Sequence, residues 1–197
     1  MGLSDAGYPL HLVLLSKDKT FEPAHWHQNH KAVFFILNGI HPGEPDGIDA
    51  SMMMARDLLQ KKIHWPDNIV MAIIPVYNIG GALNRSGTSR VNQNGPLAYG
   101  FRGNAQNLDL NRDFTKCDSR NARSFAAIFQ YLQPDVFLDT HVSDGADYQY
   151  TMTLITTQYN KLGGSLGEWL KKDFEPKVYK KKKNKNWDLI PYVDFVN

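Results

Sequence analysis

The chain has 197 residues, 42% of them hydrophobic and 21% charged, with a formal net charge of +2. This is the length and composition of one ordinary globular domain with a sizeable apolar core, and the charge is too small to argue for nucleic acid or a membrane surface as partner. No apolar run approaches the ~20 residues of a membrane helix, and the single cysteine, Cys117, excludes an internal disulfide and a cysteine-based zinc site.

Residues 10–15, Leu-His-Leu-Val-Leu-Leu, read as a first strand. The segment before them lacks the basic-then-apolar layout of a signal peptide. Residues 17–31 are polar, contain Pro23 and read as a loop. Three histidines in that loop, His25, His27 and His30, could chelate a divalent ion, although no carboxylate is placed to join them. Residues 32–37, Ala-Val-Phe-Phe-Ile-Leu, form the continuous apolar run of a strand buried on both faces, and Asn38-Gly39 ends it with a turn signal. A helix is expected over 49–62, with Met52, Met53, Leu58 and Leu59 at helical spacing as core packing. Residues 69–76 read as another apolar strand.

Residues 77–114 are rich in Gly, Asn and Arg and have no periodicity. A loop of that length inside a domain is usually functional or disordered. A helix is expected over 119–132, stopped by Pro134, and then a short strand over 136–140 that runs into His141. Residues 148–155 read as a strand and 158–172 as a helix broken at Gly163 and Gly164. The basic run Lys180, Lys181, Lys182, Lys183 and Lys185 reads as a solvated loop. Strands alternate with helices, so the class is α/β.

In open α/β sheets, ligands gather at the carboxyl ends of the strands. His41 comes soon after the strand at 32–37, and His141 directly follows the strand at 136–140. His41 and Glu44 lie three apart on a turn stiffened by Gly39, Pro42, Gly43 and Pro45. Alone, such a pair is ordinarily a surface histidine beside an exposed glutamate, and a histidine at a strand end ordinarily bonds to backbone. Together, His, Glu and His make a catalytic zinc set, in which three protein ligands leave one position for water.

Three stretches resemble the zinc carboxypeptidases, the M14 or funnelin-type family. Asn38-Gly39-Ile40-His41-Pro42-Gly43-Glu44 is similar to that family's zinc-binding turn. Asn107-Leu108-Asp109-Leu110-Asn111-Arg112-Asp113-Phe114 is similar to its Asp-x-Asn-Arg motif, and Leu138-Asp139-Thr140-His141 to the strand that delivers the third ligand. Order and spacing agree over about residues 32–155. The resemblance implies a three-layer α/β/α fold with a mixed, mostly parallel central sheet, residues 1–197 forming a single, incomplete catalytic domain.

It further implies a zinc-dependent metallocarboxypeptidase acting on peptides with a free C-terminal carboxylate. His41, Glu44 and His141 would hold one zinc ion per chain, and Asn111 and Arg112 would bind the substrate carboxylate, which the planar fork of an arginine matches. Arg102 would polarise the scissile carbonyl, with Arg85 and Arg90 as rivals for that part. Asp109 would hydrogen-bond the far nitrogen of His41. The family's general-base glutamate sits well downstream of the third ligand, and only 56 residues follow His141. Glu168 and Glu175 lack its context, so the base is expected to be absent from this chain.

Two other readings stay open. N-acyl amino acid deacylases of the aspartoacylase and succinylglutamate desuccinylase type share the ligand layout, although the long 77–114 segment and the Asp109 motif favour the peptidase. A non-catalytic zinc- or peptide-binding fragment is the other, and an absent base would support it. A secreted or periplasmic parent fits the family in bacteria.

Overall fold

The computed structural model describes residues 2–90, 96–143 and 149–192. The chain divides into two compact units, Met1–Gly145 and Ala146–Asn197.

The first unit opens with strand β1 (Val13–Leu15), a shorter strand than the apolar run suggested. Helix α1 (Pro23–Gln28) follows, where a loop was expected. Pro23 stands in its first turn, where a missing amide costs nothing. Trp26 is fully buried and its indole N–H donates to the Thr20 carbonyl at 3.0 Å. Burial of that one large side chain outweighs the polarity of its neighbours.

Strand β2 (Ala32–Leu37) has the expected bounds. Helix α2 (Asp46–Leu59) begins three residues before the expected start, with Pro45 as its N-cap and Asp46 and Asp49 at its positive end. Its methionines do not pack in the core. Met52 is 61% exposed and Met53 54%, and Leu59 is exposed as well. Only Ser51 and Leu58 are buried, and Ser51 earns its place by accepting a hydrogen bond from the Asn38 amide at 2.8 Å. The inward face of α2 thus carries a polar contact to the end of β2 as well as the apolar Leu58.

Strand β3 (Ile69–Ile74) is followed by a segment that builds short elements of its own: α3 (Ile79–Leu83), the paired β4 (Arg85–Ser86) and β5 (Tyr99–Gly100), and a 3-10 turn over Leu110–Arg112. Helix α4 (Arg120–Leu132) is capped by Ser119, whose hydroxyl accepts from the Ala122 amide at 3.0 Å. It ends at Gln133, in left-handed backbone with φ 44°, just before Pro134. Strand β6 (Val136–Asp139) is the last element of this unit among the described residues.

The central sheet has the order β1-β3-β2-β6. β2 runs parallel to both β3 and β6, and β1 runs antiparallel at the edge. This is the mixed, mostly parallel sheet expected of the α/β class. Val33, Phe35 and Leu37 lie in register with Val70, Ala72 and Ile74, and all six are buried in the core with Phe125, Ile128 and Leu132 of α4. Phe35 stacks on Phe125 at 5.8 Å between ring centroids and meets Phe137 of β6 at 5.4 Å.

The second unit pairs β7 (Met152–Leu154) in parallel with β8 (Leu189–Pro191). Helices α5 (Tyr159–Leu162) and α6 (Gly164–Trp169) are separated at Gly163 and Gly164, both at positive φ, as the sequence suggested. A π-helical turn, Leu170–Phe174, leads into α7 (Glu175–Lys183). The basic run is thus largely helical instead of a loop. Lysine is a good helix former, and Pro176 sits in the first turn, where it is tolerated. None of the residues of α7 is buried. Among the described residues, no helix is long and apolar enough to cross a membrane.

Candidate metal centre

β2 and β6 are parallel and adjacent, with Leu37 opposite Asp139, so both chains leave the sheet side by side. Asn38 ties the two exits together. Its buried side chain accepts from the Thr140 hydroxyl at 2.8 Å while its amide reaches Ser51 on α2. Gly39, at φ 65°, then turns the backbone through a conformation that a side chain would resist. The turn closes with the Glu44 amide donating to the His41 carbonyl at 2.9 Å. His41 and Glu44 are each only 2% exposed.

His41 Nδ1 lies 3.0 Å from Glu44 Oε1, and His141 Nδ1 lies 3.1 Å from Glu44 Oε2. One ligand atom from each of the three residues falls within 4.8 Å of the others, so the group can hold one metal ion. The donor set fits zinc: two imidazoles and a carboxylate, converging from two strand ends. The far nitrogens of both rings are also held. His41 Nε2 is 3.2 Å from Asp109 Oδ1, and His141 Nε2 is 3.0 Å from Asp139 Oδ2. Such carboxylate partners fix the ring orientation and tautomer of a metal-binding histidine.

The charges follow from this crowding. Burial alone would raise the Glu44 carboxyl, but hydrogen bonds from His141, His41 and the Val142 amide outweigh it and hold the group well below the usual carboxylate range. Burial would lower His141, yet the carboxylates of Asp139 and Glu44 push it up to about 10. Asp109 is also held down: hydrogen bonds from His41, the Asn111 amide and Arg102 override the cost of its burial.

The zinc carboxypeptidase family matches residues 1–149. The chain belongs to that family. No curated protein matches the chain. The zinc carboxypeptidases are zinc-dependent and act on peptides, and His41, Glu44 and His141 form a group that could hold such an ion.

The remaining residues singled out in the sequence divide into those that join the cluster and those that stand apart. Arg102 Nε donates to Asp109 Oδ2 at 3.0 Å, and its Nη1 is 3.5 Å from His41 Nδ1, so it joins. Asn111 and Arg112 sit in the short turn capped by the Asp109 carboxylate, which accepts from the Asn111 amide at 2.9 Å. Arg112 is exposed and donates to the Asn111 carbonyl at 2.9 Å; among the described residues no hydrogen bond joins it to the cluster. Of the rivals to Arg102, Arg85 donates to the Ala98 carbonyl. Arg90 instead reaches Glu44 Oε1 at 2.8 Å.

Among the described residues, His25, His27 and His30 do not gather into a group that could hold a metal ion. His25 and His27 lie two apart on α1, about 200° around the helix, and His27 Nε2 is 3.2 Å from the Leu132 carbonyl. Cys117 donates weakly to the Phe114 carbonyl at 3.6 Å. Glu168 pairs with Lys172, and Glu175 accepts from the Thr156 hydroxyl. Asp139 is the partner that the sequence reading missed. The signal was present, because residues two apart at a strand end share a face.

Proposed function

We propose that the chain is the zinc-binding part of a metallocarboxypeptidase that acts on peptides with a free C-terminal carboxylate. The observation that carries this reading is the convergence of His41, Glu44 and His141, with Asp109 and Asp139 on the far nitrogens of the two rings. Zinc held there would act as a Lewis acid toward a carbonyl and lower the pKa of a bound water. Arg112, exposed beside the cluster's Asp109 turn, receives the substrate carboxylate together with Asn111. Arg102, anchored on Asp109 and close to His41, keeps a fixed positive charge where a carbonyl oxygen gains negative charge. The general base is assigned to no residue of this chain. In this reading both units belong to one catalytic domain, 1–197.

The test is binding by the zinc-loaded protein of a blocked dipeptide with a free carboxylate, against the same dipeptide as its C-terminal amide. The free acid is expected to bind at least roughly tenfold more tightly, as befits a charge-assisted two-point contact. Arg112→Ala is expected to abolish that preference. Equal binding of acid and amide by the wild type would contradict the assignment. Preferential binding and hydrolysis of N-acyl amino acids would move the chain to the deacylases.

A further inference from the structure

Glu44 is nearly inaccessible, yet each of its oxygens has a donor besides the two histidines. Oε2 accepts from the Val142 amide at 2.9 Å. Oε1 accepts from the Arg90 guanidinium, with Nη1 and Nη2 both at 2.8 Å. Arg90 is itself well covered, its side chain only 11% exposed. Two features of the surrounding fold deliver it there. The Tyr99 hydroxyl in β5, on a buried side chain, lies 2.7 Å from the Arg90 carbonyl and anchors the backbone. Gly43 leaves the passage through which the side chain runs: a Cβ at that position would come within 2.6 Å of Arg90 Cδ and 3.0 Å of the Gly100 carbonyl.

We propose that Arg90 is a positioning residue of the metal centre, one that holds the Glu44 carboxylate in a set plane and shares its negative charge. The inference rests on the zinc-site reading above and goes beyond it. A carboxylate torsion is broad and roughly two-fold, so a buried glutamate does not select one orientation by itself. A guanidinium is permanently charged, planar and weakly hydrated, which suits it to a buried carboxylate. With one oxygen bound by the fork, Glu44 presents the ion with a fixed orientation and an Oε2 that the guanidinium does not occupy. Gly43, between Pro42 and Glu44, then has a steric purpose besides its place in the turn.

The test compares zinc affinity, measured by competition with a chromophoric chelator, and the visible spectrum of the cobalt(II) form, in wild type, Arg90→Met, Arg90→Lys and Gly43→Ala. Loss of a group that orients a metal ligand typically weakens binding by roughly 10–100-fold, and that is the expected effect of Arg90→Met, with an altered cobalt spectrum. Arg90→Lys keeps the charge without the fork and is expected to recover part of the loss. Gly43→Ala is expected to resemble Arg90→Met although both partners are intact. Wild-type affinity and spectrum in Arg90→Met, with binding abolished by His41→Ala, would overturn the inference and leave the zinc site standing. Should Arg90→Met fail to fold, unchanged affinity and spectrum in both Arg90→Lys and Gly43→Ala would overturn it equally. A wild-type chain that binds neither metal overturns the zinc reading and this inference together.

Discussion

At the scale of single residues, the site is a contest for protons and metal among groups packed within hydrogen-bond reach. His141 is held between Asp139 and Glu44 and keeps its proton up to about pH 10 in zinc-stripped protein. Its folded-state pKa lies above the unfolded value of about 6.5. The stabilisation it supplies is therefore fully present below that value and is lost as pH rises through 10. On the proposed zinc reading His141 binds as a neutral imidazole, so capture at neutral pH must release that proton. Zinc affinity is expected to rise with pH from 6 to 9, by up to about tenfold per unit for one displaced proton. Calorimetry in buffers of different ionisation enthalpy reads the released proton directly, and a pH-independent affinity would show that His141 is not a ligand. His41, Glu44, Asp109 and His141 could be read from the sequence because each lies in a short motif at a strand end or turn. The contact of Arg90 with Glu44 could not, because it spans 46 positions that include α2, β3 and α3, and no periodicity connects such residues.

At the scale of elements, α4 shows how side chains set a boundary. Ser119 caps the helix and donates from its hydroxyl to Asp113 Oδ2 at 2.6 Å, while Asp113 also accepts from the Asp118 and Ser119 amides. Loss of this cap in Ser119→Ala is expected to cost about 1–2 kcal/mol, measurable as a lower midpoint in urea at unchanged slope. At the other end Gln133 occupies left-handed backbone, where glycine carries no Cβ penalty. Gln133→Gly is expected to stabilise by about 0.5–1 kcal/mol, seen as a rise of a few degrees in Tm. A fall would mean that the Gln133 side chain has a role beyond ending the helix. Strands β2 and β3 were legible because apolar runs bounded by turns have few other readings. α1 was hidden because one buried tryptophan, not a pattern, holds it. On α2, Leu58 is buried as expected but Met52, Met53 and Leu59 are exposed, and Ser51, which carried no apolar signal, turns inward to Asn38.

At the scale of the whole molecule, alternating strands and helices led to the α/β class, and the parallel pairing of β2 with β6 explains why candidate ligands about a hundred positions apart meet. The parallel register sends both carboxyl ends to the same edge, and the Asn38 bridge fixes their separation. The second unit was less legible, since its basic run has neither an apolar stripe nor turn residues to distinguish a solvated helix from a loop. The central claim is that His41, Glu44 and His141 form one zinc site. The most direct measurement is the zinc content of wild type and His41→Ala after saturation with zinc and removal of excess by gel filtration. Roughly one zinc per chain in the wild type, lost in the variant, is expected. No zinc in the wild type, or equal zinc in both proteins, would contradict it.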